Sequence, residues 1–185
     1  MSTTALIVIV AVIVIAAIAV WVFVQNRRTQ ALKGRFGPEY DRTVRELGNR
    51  SRAESELSKR AERIERYHLH PLTREQRDRF LEDWKQTQAH FVDDPAMSIR
   101  EADRLVEEVM KARGYPVADF ERRAEDISVN HPHVVRNYRA AHTIALSHRE
   151  GKASTEDLRN AMVSYRDLFD ELLEVNTAGR MEVHR

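Results

Sequence analysis

The sequence contains no cysteine, which excludes a thiol nucleophile. The absence also agrees with a cytoplasmic domain, although many exported domains lack cysteine too. There is no G-x-S-x-G motif, and the serines lie at predicted helix caps or in a charged stretch, so no nucleophile–base pair of a hydrolase can be identified. The 6 glycines stand singly, which excludes a glycine-rich phosphate loop.

Strand patterns and nucleic-acid motifs are also missing. No segment alternates apolar and polar residues over a convincing length, so we expect no strands. No internal repeat of fixed period is present. A strongly basic face and interleaved aromatic residues are absent as well, which argues against nucleic-acid binding.

What the sequence does have is an apolar run over residues 5–24, ALIVIVAVIVIAAIAVWVFV, without a charge, amide, glycine or proline. A helix of this length measures about 30 Å, the thickness of the hydrocarbon core of a bilayer. Because a backbone in lipid must bond to itself, we expect a helix despite the many β-branched residues. The sequence therefore predicts a transmembrane anchor over residues 1–24.

A cleaved signal peptide is the alternative for the same run. Signal peptides combine a basic first segment, about 7–15 apolar residues and a small-x-small cleavage site. Here the segment before the run, Met-Ser-Thr-Thr, carries no Lys or Arg, and its one A-x-A match, Ala17–Ala19, lies inside the run. The run is also longer than a signal peptide needs. These departures favour a retained anchor.

The flanks of the run predict its orientation. Four basic residues follow it before the first acid at Glu39: Arg27, Arg28, Lys33 and Arg35. The positive-inside rule then places the C-terminal side in the cytoplasm and the short N-terminus outside, in a cell (inner or plasma) membrane. The same cations are candidates for contact with anionic lipid headgroups, as an alternative to a pure topology signal.

Residues 25–70 are predicted to form a basic helical stalk. One piece begins near Pro38 and ends at Gly48. A second, from Ser51 to His68, carries a narrow apolar stripe of Ala53, Leu57, Ala61 and Ile64. Such a narrow stripe leaves two possibilities open: the helix lies along the following domain, or it pairs with a second copy as a short coiled coil and makes a homo-oligomer.

From residue 71 to 174 the pattern predicts an antiparallel bundle of about five helices, followed by a disordered tail over residues 175–185. The expected helix starts are Thr73 with Gln76 as a capping box, Asp94 before Pro95, and Ser154 or Thr155. Gly114 and the Asn130-His131-Pro132 segment are expected to end helices. The predicted apolar stripes are Phe80, Trp84, Thr87 and Phe91; Ile99, Ala102, Val106 and Val109; Phe120, Ala124 and Ile127; Val134, Tyr138, Ala141 and Ala145; and Leu158, Ala161, Met162, Tyr165, Leu168, Phe169 and Leu172.

The residues that could carry chemistry are mainly histidines. His68 and His70 form one H-x-H pair, and His131 and His133 form another. A metal site needs three or four converging ligands, and neither an H-E-x-x-H nor an E-x-x-H motif is present. We therefore expect no metal site, no cofactor site and no catalytic residue.

One segment is richer in polar groups than the end of a bundle requires. Between Val129 and His148 lie four histidines, Arg136, Arg139 and Tyr138, around a helix start broken by proline. A helix start attracts anions through its free N–H groups and its dipole. The segment is either an anion pocket or a polar cover on the bundle end, and convergence of His131, His133, Arg139 and His142 would distinguish the two.

Four phrases carry a resemblance to known sequences: RFGPEYDR (35–42), FVDDP (91–95), RGYP (113–116) and SVNHPHVVRNYRAAH (128–142). In this order they resemble a group of uncharacterised bacterial proteins, often membrane-anchored, over residues 33–173. The resemblance implies a bacterial origin and an all-helical cytoplasmic domain, and it implies no activity or functional residue.

Two functions are compatible with these patterns. The first is a non-enzymatic, membrane-tethered interaction module, a scaffold or adaptor that recruits an unknown protein partner. The second is a small ligand-binding or enzymatic helical domain that uses segment 129–148. The lack of a recognisable constellation of catalytic groups favours the first.

Overall fold

Helices connected by short turns make up the whole of the computed structural model, which describes residues 3–116 and 118–174. In those ranges the chain forms eight α-helices and no strand. They are α1 (Thr3–Phe36), α2 (Pro38–Leu47), α3 (Arg50–Glu65), α4 (Arg74–His90), α5 (Pro95–Ala112), α6 (Phe120–Asn130), α7 (Val135–Arg149) and α8 (Thr155–Leu172). The predicted all-helical fold is confirmed, and the predicted disordered tail, 175–185, lies outside the described residues.

Capping interactions set the helix starts where the sequence predicts them. The Thr73 hydroxyl accepts from the Gln76 backbone N–H at 3.2 Å, and the Gln76 side chain accepts from the Thr73 backbone N–H at 2.9 Å. Asp94 caps α5 by accepting from the Met97 N–H at 2.9 Å, with Pro95 as the first helical residue. Ser154 caps α8. Each cap satisfies backbone donors that have no partner within the helix.

The chain divides into two compact units. The N-terminal unit runs to Ser58 and holds α1, α2 and the first half of α3. The C-terminal unit begins at Lys59 and holds the rest of α3 and helices α4 to α8.

In the N-terminal unit α1 is long and apolar enough to cross a membrane. Every residue from 11 to 28 is exposed. The helix continues without a break beyond the apolar run to Phe36, where Thr29, Leu32 and Phe36 are buried. Gly37, at a φ of 49°, then turns the chain into α2. The predicted anchor and the start of the predicted stalk are therefore one helix.

The narrow stripe of α3 is fully buried, at Ala53, Leu57, Ala61 and Ile64. Within the C-terminal unit, the end of α3 pairs with α6 through arginines that flank the stripe. Arg63 donates to Asp126 at 3.0 Å, and Arg60 contacts Glu125 at 3.2 Å. A stripe too narrow for a core helix is thus supplemented by ion pairs, and this favours the first of the two predicted arrangements.

In the C-terminal unit, α4 packs on α5, α5 on α8, α8 on α7, and α7 on α6. The core lies along α8, whose predicted stripe is entirely buried. The Phe169 ring stacks on Trp84 with centroids 4.8 Å apart. Because short connections join α4 to α5 and α7 to α8, neighbouring helices run antiparallel, as predicted.

Four residues that the sequence assigned to buried stripes are only half-buried in the structure. Val134 is only half-buried and Val135 takes its place in the core, because residues 132–134 form a turn and α7 starts at Val135. Ala145 is half-buried at the wall of a cavity. Phe91 and Phe120 are half-buried because each stands at a helix end, Phe91 as the C-cap of α4 and Phe120 as the first residue of α6.

Gly114 ends α5 in a left-handed conformation with a φ of 93°. A Cβ at this position would lie 2.6 Å from the carbonyl oxygen of His68. The segment after α3 indeed lies close to the end of α5, because the His70 N–H donates to the Arg113 carbonyl at 3.0 Å. Only glycine fits here, and it allows the segment after α3 to pass against the end of α5.

Candidate functional site

A cavity of about 160 Å³ lies between α5, α7 and α8 of the C-terminal unit. Its apolar wall is formed by Ile99, Ala145 and Leu158, with Ala96 beside them. Its polar wall is formed by Asp103, His142, His148 and Tyr165. Arg100 and Arg149 also line it, and both are exposed, so they stand at its open side.

Asp103 on α5 joins three other helices through its carboxylate. It accepts from Arg123 on α6 at 3.0 Å, from the Tyr138 hydroxyl on α7 at 3.1 Å and from the Tyr165 hydroxyl on α8 at 3.4 Å. Arg123 also donates to the Tyr138 oxygen at 3.2 Å and to Glu107 at 2.6 Å. We call these residues, Asp103, Glu107, Arg123, Tyr138 and Tyr165, the Asp103 network.

The protonation states in the Asp103 network follow from burial and charge. Burial raises the pKa of Tyr138 and of Tyr165 far above that of a free tyrosine, and the Asp103 carboxylate adds to both shifts. Burial alone would lower the pKa of Arg123, but the neighbouring Tyr138 and Asp103 outweigh it and raise that pKa. At neutral pH both hydroxyls are therefore protonated donors beside a guanidinium–carboxylate pair.

His142 lies between the Asp103 network and the cavity. Its ring stacks on Phe120 with centroids 3.5 Å apart and an angle of 7° between the planes. Burial lowers the pKa of His142, and the nearby Asp103 charge opposes the shift without cancelling it. His142 is consequently a neutral ring at pH 7.

His148, two turns further along α7, has a polar atom without a partner. Its Nδ1 is buried and makes no hydrogen bond with any described residue. Buried ring nitrogens in proteins nearly always find a partner, so an unsatisfied one at the wall of a cavity needs an explanation.

The structure separates most of the histidines and arginines that the sequence groups together. His131 is paired with Glu171 at 3.2 Å on the α8 side, and burial lowers its pKa although Glu171 opposes the shift. His133 is exposed, and Arg139 pairs with Glu121 at 2.6 Å. Of the four residues whose convergence was the criterion, only His142 lines the cavity. The helix start at residues 131–135 is not a shared pocket of these groups.

Metal ligands do not converge either. Within residues 3–116 and 118–174 there is no group of three or more His, Asp or Glu side chains that could hold a metal ion. His68 and His70 are both exposed.

A second, open groove of about 590 Å³ lies in the N-terminal unit, between the end of the apolar run on α1 and the first turns of α3. Trp21, Arg28 and Arg50 line it. At its base the Glu54 carboxylate accepts from Thr29 at 2.8 Å, Tyr40 at 2.8 Å and Arg50 at 3.0 Å. Burial works to raise the pKa of Glu54, but these three hydrogen bonds outweigh it and hold that pKa below its usual range.

Sequence reasoning missed Asp103, Arg100 and Arg149 as parts of a site. Arg149 directly follows the segment 129–148 that the sequence singled out, but the other two lie on α5, nearly fifty residues before Arg149. They reach the cavity because α5 packs beside α7 and α8. Asp103 was detectable in principle, because it stands one position after the buried Ala102 on an amphipathic helix, at the edge of the apolar stripe.

Comparison of the chain with protein-family models, with curated proteins and with solved structures finds no match in any of the three.

Proposed function

We propose that this is a single-pass membrane protein, anchored through residues 5–24, whose C-terminal unit is a non-enzymatic interaction module, a scaffold or adaptor, at the cytoplasmic face. The observation that carries the proposal is the set of hydrogen bonds that the Glu54 carboxylate accepts. The Glu54 carboxylate on α3 accepts from Thr29 on α1 and from Tyr40 on α2, so two hydrogen bonds join the three helices just beyond the apolar run. An exposed apolar helix that continues into a folded unit is what a retained anchor requires.

The same observation argues against a cleaved signal peptide. A cut after Ala19 would leave Val20, Trp21, Val22, Phe23 and Val24 at the new N-terminus, all exposed. Exposed apolar side chains of this size favour lipid over water. The bacterial origin implied by the four resembling phrases is part of the proposal and agrees with an inner-membrane location.

Headgroup contacts are proposed to come mainly from the cations nearest the apolar run. At 1.5 Å per residue, Arg27 and Arg28 lie about 5–6 Å beyond Val24, within the headgroup layer, whereas Lys33 and Arg35 lie about 14–17 Å beyond it. Lys33 sits over the Tyr40 ring at 5.4 Å, which holds it against α2. Trp21 and Arg28 on the open groove fit the boundary between acyl chains and phosphates.

The test combines extraction and topology. We expect the full chain to pellet with membranes, to resist carbonate extraction and to keep its original N-terminus. A reporter fused after Arg185 is expected to behave as cytoplasmic. A mature N-terminus near Val20 would contradict the anchor, and an extracytoplasmic reporter signal would reverse the orientation. Affinity capture from detergent-solubilised membranes then identifies the partner.

A second function, ligand binding by the C-terminal unit, is favoured by one specific observation. The 160 Å³ cavity brings His142 and His148, both from segment 129–148, to one wall together with Asp103. The dispersal of His131, His133 and Arg139 argues against a larger site built from the whole segment. The second proposal is therefore a small-molecule site, without an assigned reaction.

A further inference from the structure

We infer that the cavity between α5, α7 and α8 binds a small monocarboxylate with a compact apolar body, such as an aromatic ring. This inference rests on the ligand-binding role proposed second above and names the class of ligand for it.

The volume limits the ligand to a small one. A dry protein cavity of about 150 Å³ accommodates a benzene molecule. The cavity here measures about 160 Å³ and opens to solvent at one side. A ring of six carbons with one substituent at the open side fits this space, whereas a nucleotide or a peptide does not.

The apolar wall sets the character of the ligand's body. Ile99 and Leu158 line the cavity and are otherwise packed in the core, since they are only 2% and 3% exposed. The neutral, stacked His142 ring adds a flat surface beside them. An apolar body gains free energy by leaving water for such a wall.

The positive charges at the open side of the cavity determine which polar group the ligand carries there. Among the residues that the structure describes, neither Arg100 nor Arg149 forms an ion pair with a carboxylate, so both guanidinium groups are available. In the described part of the chain Arg100 contacts the Met97 sulfur at 3.5 Å. Two guanidinium groups at one opening attract a carboxylate and can bind it through paired N–H donors. They repel a cation or an amine.

His148 supplies the third polar contact. The residue lines the cavity, and its Nδ1 is buried without a hydrogen-bond partner among the described residues. In the tautomer protonated at Nδ1 the ring donates one hydrogen bond, which a carboxylate oxygen that reaches it accepts. A bound carboxylate would thus satisfy a ring nitrogen that residues 3–116 and 118–174 leave without a partner.

Asp103 does not oppose this assignment. Its carboxylate accepts from Arg123, Tyr138 and Tyr165, through Oδ2 once and Oδ1 twice. These donors offset part of its charge, with Arg123 shared between Asp103 and Glu107.

The experiment uses the full chain in detergent micelles, with benzoate as the probe and benzyl alcohol as its neutral counterpart. We expect benzoate to raise the melting temperature saturably with concentration and benzyl alcohol to bind at least tenfold more weakly. Arg149→Gln is expected to weaken benzoate binding at least tenfold, whereas the matched control Arg136→Gln, an exposed arginine at the start of the same helix, leaves it unchanged.

Two further variants separate binding from stability. Ala145→Phe fills the cavity and should abolish the benzoate shift while the chain still melts cooperatively. His148→Phe should weaken benzoate and leave benzyl alcohol unchanged. Isothermal calorimetry gives the dissociation constants independently of the melting curve.

The outcomes distinguish the two levels of the proposal. If benzyl alcohol binds as well as benzoate, or if Arg136→Gln weakens benzoate as much as Arg149→Gln, the carboxylate assignment is wrong although ligand binding by this unit stands. If neither compound shifts the melting temperature and Ala145→Phe melts no lower than the unchanged chain, the cavity binds no ligand of this size, and both this inference and the ligand-binding function fail. Neither result bears on the membrane anchor.

Discussion

The two units of this protein differ in where their large apolar side chains lie, on the surface in one unit and in the interior in the other. In the N-terminal unit most of them are on the surface, with Val12, Ile15, Trp21 and Phe23 each more than half exposed. In the C-terminal unit they are inside, with Tyr138, Tyr165, Phe169 and Leu168 each fully buried. A continuous apolar helix with every face exposed is unusual on a globular unit, so the difference agrees with the proposed anchor, in which lipid surrounds the apolar part of α1.

The two units also use charge differently. In the N-terminal unit a single carboxylate, Glu54, collects three donors beside the apolar run. In the C-terminal unit, ion pairs join the helices at the margins of an aromatic core, as Arg123 does with Asp103 and Arg63 with Asp126. Burial raises the pKa of Asp126, whereas the hydrogen bond and charge of Arg63 act to lower it. Desolvation and ion pairing therefore act on this carboxyl group in opposite directions.

The largest expected effect is on membrane insertion of the exposed apolar helix α1. Changing both Val14 and Ile15 to Arg places two charges at the centre of the apolar run, at a cost of about 5–7 kcal/mol for insertion. We expect the carbonate-resistant membrane fraction to be lost. Val92→Arg is the control, because Val92 is 84% exposed on the C-terminal unit, and it should leave that fraction unchanged. A double variant that stays in the membrane would show that α1 does not cross it.

The second effect is on the stability of the C-terminal unit, whose apolar side chains are buried. Phe169→Ala removes a fully buried ring stacked on Trp84 and should lower the free energy of unfolding by about 3–5 kcal/mol. Val163→Ala, on the exposed side of the same helix, should cost far less. Urea unfolding followed by circular dichroism measures both. Equal effects of the two variants would mean that α8 is not the centre of the core.

The third effect tests the Asp103 network. Arg123→Met leaves the Asp103 carboxylate beside two hydroxyls without a cation, and should destabilise the chain by about 2 kcal/mol. Arg122→Met is the matched control, because Arg122 is exposed and pairs only with Glu125 at 3.2 Å in the described part of the chain. Its cost should fall within the range of surface ion pairs, below about 1 kcal/mol. A stable Arg123→Met variant would show that the network contributes specificity and little free energy.

The smallest effect concerns pH. Burial lowers the pKa of His131 and of His142 in the folded chain, so the unfolded chain binds more protons. Their contribution is therefore fully present above the unfolded pKa of about 6.5 and is lost as the pH falls below it. Replacing both by Gln should flatten the fall in unfolding free energy between about pH 7.5 and pH 5.5. His133→Gln, at an exposed position, should not, and an unchanged slope in the double variant would contradict the assignment.

Much of the fold was predictable because it is encoded locally. The length of the apolar run, the capping box at Thr73, the Asp94-Pro95 start and the stripe of α8 each depend on residues within a few positions of one another. Hydrogen bonds to helix ends and a period of 3.6 residues need no knowledge of distant segments. The shift from Val134 to Val135 in the core shows the limit, since a turn of three residues moved the register of α7 by one.

The cavity was beyond the sequence because it is a property of packing. Nothing in the local pattern says that Asp103 faces Tyr138 and Tyr165, or that Arg100 and Arg149 share one opening. The sequence grouped His131, His133, Arg139 and His142 by their nearness along the chain, but His131 ends α6, His133 lies in the turn before α7, and only Arg139 and His142 stand on α7. Partners from distant parts of the chain then separate them, since His131 contacts Glu171 and Arg139 contacts Glu121, whereas His142 stacks on Phe120.

The amino-acid pattern was therefore enough to predict the apolar helix, the capped starts of α4, α5 and α8 and most residues of the main core. The tertiary structure alone decided which polar side chains meet, because their partners come from helices separated by tens of residues. It also decided that α1 continues into a hydrogen-bonded unit at Glu54, and that His148 lines a cavity while its Nδ1 has no partner among the residues that the structure describes. Local interactions select the helices, whereas long-range packing selects the sites between them.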